Sequence, residues 1–299
     1  MATYFATGSN TVKELQQTAL IVEPFENIEY KLIMQTASII NDYSGKCSSI
    51  ANYAFYSREY LNQVYFASCT RIGNHAFDRC SNLVSISFPA CTLISNYAFQ
   101  SCTALSTINF PACTSISSYA FAYCSSLSTA SFPSCASIGS GAFSSCYALT
   151  TVSFPVCTRI ERNAFQNCSS LTTALFPSCT SVNESVFQNC SSLVIISFPM
   201  CDYIAQYAFS NCTALTTVSF PACTRILGAA FSNCTKLQSL YLTGSSFVSL
   251  AHSNAFTNTP MADSTYLGYF GSIYVPSSML ESYKTRIYWS TYSNRLVGV

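Results

Sequence analysis

Hydrophobic positions recur along the middle of the chain with a fixed period of 22 residues. The Phe-Pro pair marks this period most clearly, because seven copies follow one another without an insertion, from Phe88-Pro89 to Phe220-Pro221. The repeat can be written L-x-x-I-x-F-P-x-C-x-x-I-x-x-x-A-F-x-x-C-x-x, with Val or Ala at some of the Ile and Ala positions. A fixed period of this length predicts a solenoid, in which each coil packs mainly on its two neighbours.

The first half of each repeat predicts a β-strand. In the repeat that begins at Leu105, the alternation of a strand places Ile108 and Phe110 in the core. Thr107 and Asn109 alternate with them and are expected in solvent. The proline that follows ends the strand, because proline cannot donate a ladder hydrogen bond. In the second half, successive apolar residues are four, one and three positions apart, as in Ile116, Ala120, Phe121 and Cys124. These intervals indicate one or two turns of α or 3₁₀ helix on the outer side.

The repeat register is lost towards both ends of the chain. We therefore predict an N-terminal cap at residues 1–45, a solenoid at 46–260, and a C-terminal capping strand and helix at 261–299.

The sequences of both caps suggest their secondary structure. A capping-box spacing at 11–14 predicts a short helix through about Thr18, and the apolar run at 30–34 predicts a strand. In the C-terminal cap, the sequence predicts a strand at 271–276 that ends in proline. A second capping box, at 278–281, predicts a helix that covers the last coil.

All 17 cysteines belong to the repeat. One column of nine runs from Cys47 to Cys223 and a second column of eight runs from Cys80 to Cys234, each in steps of 22 residues. An odd number of thiols cannot pair completely, and small disulfide scaffolds have irregular spacings. Zinc sites need ligands two to four residues apart, which neither column offers. We predict free, buried thiols that act as small apolar core residues.

The composition argues against several functional classes. Charged residues make up only 8% of the 299 residues and the formal net charge is +1, so the chain lacks the basic surface of a nucleic-acid-binding protein. An aromatic content of 14% argues against disorder. The sequence contains no run of 18 apolar residues, and we expect no membrane span. The first residues lack a charged and then apolar leader, so no secretory signal is predicted.

The repeat motifs resemble the BspA-like leucine-rich repeats, also called the Treponema pallidum type. The resemblance covers about residues 47–260 and rests on L-x-x-I-x-F-P and I-x-x-x-A-F-x-x-C, and the segment 273–284 is similar to the ending common in such bacterial proteins. It implies an α/β solenoid, namely a curved right-handed superhelix with a parallel β-sheet on the concave side and short helical or 3₁₀ turns on the convex side. It also implies a non-catalytic protein displayed at the cell surface or secreted, which adheres to host or bacterial partners. Similar chains occur among bacteriophage structural proteins, so a structural component of a virion is the alternative.

Signals for catalysis are sparse. The chain has two histidines, His75 and His252, and neither a Gly-rich phosphate loop nor an H-E-x-x-H motif. His75 occupies the same repeat position as Tyr53, Tyr97, Tyr119 and Tyr207, which indicates a half-exposed repeat position rather than a catalytic one. Every thiol sits in a core column, where a nucleophile is not expected. We predict no enzymatic activity, no catalytic or metal-binding residues and no cofactor.

The outward-facing strand positions form the candidate binding surface for a protein or glycan ligand. They are neutral and rich in hydroxyl groups, with an apolar exception around Leu175, Val194 and Ile195. Each feature has an alternative interpretation. The hydroxyl groups either bind a ligand or only cover an exposed sheet, and the tyrosine column either forms an aromatic strip on the outer side or packs between coils. The candidate residues are Thr107, Asn109, Thr129, Ser131, Thr151, Ser153, Thr173, Leu175, Ile195, Ser197, Thr217, Ser219 and Tyr241.

Overall fold

The computed structural model describes residues 3–7, 11–15, 19–21, 38–42, 47–262 and 270–299. The predicted solenoid is confirmed, and each 22-residue coil contributes one strand of three or four residues and one strand of two. The strands are β1 (Thr3–Thr7), β2 (Thr11–Leu15), β3 (Ala19–Ile21), β4 (Ile39–Asp42), β5 (Ser49–Ile50), β6 (Gln63–Phe66), β7 (Arg71–Ile72), β8 (Ser85–Ser87), β9 (Leu93–Ile94), β10 (Thr107–Asn109), β11 (Ser115–Ile116), β12 (Thr129–Ser131), β13 (Ser137–Ile138), β14 (Thr151–Ser153), β15 (Arg159–Ile160), β16 (Thr173–Leu175), β17 (Ser181–Val182), β18 (Ile195–Ser197), β19 (Tyr203–Ile204), β20 (Thr217–Ser219), β21 (Arg225–Ile226), β22 (Ser239–Tyr241), β23 (Ser249–Leu250), β24 (Ser272–Val275) and β25 (Leu296–Gly298).

The solenoid strands stack into two layers. The even-numbered strands from β6 to β24 form what we call the long-strand layer, and the odd-numbered strands from β5 to β23 form the short-strand layer. Neighbouring strands pair in parallel with a register of one repeat, so that Thr107 lies opposite Thr129 and Ile116 lies opposite Ile138. The long-strand layer, together with β1–β4 and β25, divides into sheets of six, five and four strands, and the short-strand layer into sheets of six and four.

The second half of each coil differs from the expected helical turn. The short strand is followed by a turn in which two residues have positive φ, such as Tyr97 at 59° and Ser101 at 57°. Only isolated bonds to the residue three back remain, as from the Gln100 N–H to the Tyr97 carbonyl at 3.2 Å, and the left-handed residues prevent a continuous helix. The N–H of Phe99 donates instead to the carbonyl of Ala120 in the next coil, with an N···O distance of 2.7 Å. The turns therefore connect successive coils in the same way as the strands do.

The core consists of two interlocking columns of phenylalanine rings. Within a column the rings stack, as Phe121 and Phe143 do with centroids 5.4 Å apart and planes 8° apart. Between columns they meet edge to face, as Phe132 and Phe143 do at 5.9 Å and 69°. The predicted alternation is confirmed, because Ile108 and Phe110 are buried while Thr107 and Asn109 are exposed. Each coil thus buries two large rings against both of its neighbours.

The thiols lie in the core beside the aliphatic side chains, as predicted. Sixteen of the 17 are buried, and Cys47 is half-buried. In the first column each thiol donates to a nearby carbonyl of its own coil, as Cys113 does to Ser115 at 3.3 Å. In the second column it donates to a phenylalanine carbonyl of the preceding coil, as Cys124 does to Phe99 at 3.1 Å. Burial raises the pKa of Cys124 to about 12, so this donor keeps its proton at neutral pH.

The two termini depart in part from the sequence predictions. The helix predicted from Thr11 through about Thr18 is wrong, because residues Thr11–Leu15 form strand β2, which pairs antiparallel with β1. An isolated capping-box spacing does not decide between helix and strand when a pairing partner is available. The strand predicted at 30–34 lies outside the described residues. The strand predicted at 271–276 is confirmed as β24.

The C-terminal segment packs on the last coils through buried aromatic side chains. It contains a 3₁₀ turn (Ser277–Met279), helix α1 (Leu280–Thr285) and a second 3₁₀ segment (Trp289–Arg295). The capping box predicted at 278–281 is wrong, since α1 has Met279 at its N-cap and no side-chain capping bond. The N–H of Val248 donates to the Tyr283 hydroxyl at 2.9 Å, and Trp289 Nε1 donates to the Val248 carbonyl at 2.8 Å.

Candidate binding surface

The structure places the predicted surface residues on the outer face of the long-strand layer. In β10, β12, β14 and β20 the first and third residues are exposed and the second is buried. The exposed candidates are Thr107, Asn109, Thr129, Ser131, Thr151, Ser153, Ile195, Thr217 and Ser219. The half-buried candidates are Thr173, Leu175, Ser197 and Tyr241.

Strand pairing aligns these residues into two rows that cross β10 to β18. The first row consists of Thr107, Thr129, Thr151, Thr173 and Ile195. The second row, two residues further along each strand, consists of Asn109, Ser131, Ser153, Leu175 and Ser197. We call the two rows the hydroxyl face. Adjacent strands are about 4.8 Å apart, so the polar groups repeat at that spacing. None of these strands carries a charged side chain, and the face is neutral.

Hydroxyl groups beside this face differ in role from those on it. The residue that precedes β12, β14 or β16 uses its hydroxyl to join coils. For example, Ser128 Oγ donates to the Ser106 carbonyl at 3.1 Å, and Thr172 Oγ1 donates to the Thr150 carbonyl at 3.0 Å. The four threonine hydroxyls of the first row form no hydrogen bond with any part of the chain that the structure describes. They are therefore available to solvent or to a ligand.

One end of the hydroxyl face is apolar, at the position that the sequence indicated. The side chain of Ile195 is 55% exposed and that of Val194 is 46% exposed, next to half-buried Leu175 in β16. Apolar side chains bordered by polar ones are the usual anatomy of a protein-binding surface. The hydroxyl face thus offers both hydrogen-bonding groups and a small apolar contact area.

The tyrosine column on the turns packs between coils. The ring of His75 stacks between those of Tyr53 and Tyr97, with centroids 4.7 and 4.6 Å away, and Tyr97 stacks on Tyr119 at 5.2 Å. His75 Nδ1 also lies 2.8 Å from a carboxylate oxygen of Asp78. The imidazole is thereby held in a structural stack and pairs with no thiol or hydroxyl nucleophile in the hydrogen bonds of the described residues.

The sequence prediction missed a ladder of asparagine side chains on the turns. Each Nδ2 donates to the Oδ1 of the preceding asparagine at 2.7–2.8 Å. All of them have positive φ, which asparagine tolerates better than most residues. The signal in the sequence was asparagine at repeat-length steps. The ladder connects Asn167, Asn189, Asn211, Asn233 and Asn258.

Two further properties of the described residues bear on function. None of their histidine, cysteine, aspartate and glutamate side chains gather in a group of three or more that could hold a metal ion. Among the same residues, the helices are all too short or too polar to span a bilayer.

A parallel solenoid of 22-residue coils with an exposed strand face defines the class of leucine-rich-repeat proteins. The chain belongs to the BspA-type leucine-rich-repeat family, whose model matches residues 48–172 and 158–275 in six copies. Among curated proteins, none matches the chain.

Several solved structures are similar to the chain. A leucine-rich-repeat protein from Bacteroides ovatus is 19% identical, covering 100% of this chain and 98% of that one, with a TM-score of 0.36. A leucine-rich cell surface protein from Faecalibacterium prausnitzii is 21% identical, covering 99% and 96%, with a TM-score of 0.40. The T. pallidum leucine-rich-repeat protein is 28% identical over 56% of this chain and 71% of that one, with a TM-score of 0.42.

Proposed function

We propose that this protein is a non-catalytic binding or adhesion protein, displayed at a bacterial cell surface or secreted, which presents its hydroxyl face to a protein or glycan partner. Membership of the BspA-type family supports a binding role. The observation that carries the proposal is the row of four threonine hydroxyls that have no hydrogen-bond partner among the described residues. It lies beside a row of similar residues whose hydroxyls join the coils.

The physical character of the face determines how it would bind. Its groups repeat with the strand spacing, so weak contacts on successive strands add up when one ligand spans several of them. Its neutrality removes long-range electrostatic steering. Binding should therefore depend little on salt, since screening acts on charged contacts.

The state of the reactive groups favours binding over catalysis. His75 is stacked between two tyrosines, and His252 Nδ1 accepts a hydrogen bond from the backbone N–H of Asn254. Burial raises the pKa of thiols such as Cys124 and Cys168 to about 12, whereas a nucleophilic cysteine needs an accessible thiolate.

A binding screen with variants of the face tests the proposal. The purified protein would be applied to a glycan array and to a panel of purified extracellular-matrix proteins, at low and at high salt. In the double variant Thr129→Lys, Thr151→Lys, two long charged side chains cover the centre of the face. We expect at least one ligand to be retained by the native protein and lost by this variant.

The matched control is Thr103→Lys, an exposed threonine on the turns whose hydroxyl donates to the Ser81 carbonyl. This variant should bind as the native protein does. Equal binding by the double variant and the native protein, or equal loss in the control, would refute the role of the hydroxyl face.

A further inference from the structure

The charged residues in the middle of the solenoid gather at one place. The sequence contains no Asp, Glu, Lys or Arg between Arg79 and Arg159. Then Arg159, Glu161 and Arg162 follow within four residues, and Glu184 comes one coil later. The repeat has no charged position, so coil packing does not require these residues. The repeat determines the core of this chain, so residues that depart from the repeat without a structural need indicate a specific site.

The same coils interrupt the regular ladder of the short-strand layer. The N–H of Glu161 donates to the Ile138 carbonyl at 2.9 Å, which is the regular bond between coils. At the next step the Ile160 carbonyl accepts instead from the side-chain Nδ2 of Asn183, at 2.6 Å. Within the described residues, β15 is accordingly the last strand of the six-stranded sheet, and β17 begins a new one.

An open cleft of about 330 Å³ lies on the short-strand layer beside this interruption. Its floor consists of the small side chains of Ser115 and Ser137, which are in register with Arg159 in the next strand. Arg159 and Glu161 form one wall. The cleft exists because two coils of small residues are followed by a coil with two long charged ones.

The polar groups of the cleft are balanced in charge. Arg159 Nε lies 2.5 Å from Glu161 Oε1, so one positive and one negative group share the wall. The guanidinium keeps further N–H donors and the carboxylate keeps a second oxygen acceptor for a ligand. On the opposite side, the hydroxyls of Ser117 and Ser118 form no hydrogen bond with the described residues.

We propose that this cleft is a second binding site, which takes one neutral sugar unit. A donor beside an acceptor suits two adjacent hydroxyl groups of a sugar ring, and the serine hydroxyls offer further hydrogen bonds. The volume is at the lower end of the range for small-molecule sites, about 300–1,000 Å³, which fits a single ring better than an extended chain. The site lies on the short-strand layer, so it does not rest on the role proposed for the hydroxyl face.

Saturation-transfer NMR and titration with simple sugars test this site. The probes are methyl β-D-glucopyranoside, methyl β-D-galactopyranoside and N-acetyl-D-glucosamine. We expect at least one to bind with a Kd in the millimolar range. The variants Arg159→Ala and Glu161→Gln should each weaken it by about tenfold or more, because each loses a hydrogen bond to a charged group. Ser117→Tyr, which fills the cleft and keeps both charges, should abolish binding.

The matched control is Arg225→Ala, since Arg225 occupies the position of Arg159 three coils further on and has no glutamate two residues later. It should bind the sugar as the native protein does, and all variants should keep the native unfolding temperature. The variant Thr129→Lys, Thr151→Lys should also bind normally, which separates this site from the hydroxyl face.

Three results would overturn the proposal. The first is that none of the three sugars binds at about 50 mM. The second is binding that Arg159→Ala and Glu161→Gln leave unchanged. The third is binding of glucuronate or glucosamine alone, because a site with balanced charge should not prefer a charged sugar over a neutral one.

Discussion

Removing one phenylalanine ring from the middle of the solenoid should destabilise it more than removing one near the end. Phe143 contacts four other rings: it stacks on Phe121 and Phe165, and meets Phe132 and Phe154 at an angle. Phe→Ala in a packed core costs about 3–5 kcal/mol. With four ring neighbours, we expect Phe143→Ala to lower the free energy of unfolding by an amount in the upper half of that range.

Phe55 provides the comparison, because it contacts only two rings in the described part of the chain, those of Phe77 and Phe66. Each aromatic pair contributes about 0.5–1.5 kcal/mol beyond the area it buries. Two fewer pairs predict that Phe55→Ala costs about 1–3 kcal/mol less than Phe143→Ala.

Urea unfolding followed by two probes measures both effects. Circular dichroism reports the whole chain, and the fluorescence of Trp289, the single tryptophan, reports the C-terminal end. In a solenoid, each coil is stabilised by its interfaces with the two neighbouring coils. A weakened interface in the middle therefore allows the N-terminal and C-terminal halves to unfold separately. The two transitions should coincide in the native protein and separate in Phe143→Ala. A loss below about 1 kcal/mol, or an equal loss in Phe55→Ala, would refute this reasoning.

Three other perturbations test separate parts of the structure. Burial raises the pKa of Cys124 from about 9 to about 12. The free energy of unfolding should therefore be constant up to about pH 9 and fall as the pH rises towards 12, and an unfolding temperature that stays level to pH 11 would contradict this. Gly141→Ala should destabilise the protein, because its Cβ would clash with the Tyr119 ring and because alanine is strained at a φ of +61°. The penalty should shrink in a Tyr119→Ala background, and an unchanged penalty there would exclude the ring as its cause. Asn211→Gly keeps the positive φ but removes two ladder hydrogen bonds, of 2.7 and 2.8 Å. It should lower the free energy of unfolding in urea by about 1–3 kcal/mol, and a neutral effect would show that the ladder adds no stability.

The core was predictable from sequence because the repeat fixes it directly. Burial of Phe110, Cys113 and Ile116 follows from their period and from the apolar character of each column. A coil of constant length leaves each such residue facing the same neighbour in the next coil. The strand alternation at Thr107 and Asn109 follows from the same geometry.

The turns were not predictable in the same way. Spacings of four, one and three suit a helix, and nothing about Tyr97 or Ser101 signals a left-handed conformation. That conformation is favoured by hydrogen bonds to the next coil, as from Phe99 to Ala120, which are tertiary contacts. Only in later coils does asparagine, as at Asn189, mark the left-handed position in the sequence.

The candidate surface was predictable in position but not in detail. Ser128 and Thr129 are adjacent hydroxyl residues, yet of their two side chains only that of Ser128 donates to the preceding coil. Which of the two is engaged depends on the backbone geometry where the strand begins. The cleft beside Arg159 likewise depends on the register between coils, which brings small and large side chains from different repeats together.

The most direct test of the scaffold is a thiol count with Ellman's reagent, first in native buffer and then in denaturant without a reducing agent. The packed core predicts slow labelling of the native protein, with half-buried Cys47 reacting first, and 17 reactive thiols after unfolding. Rapid labelling of most thiols in native buffer, or fewer than 17 after unfolding, would contradict a continuous core of phenylalanine rings and reduced cysteines.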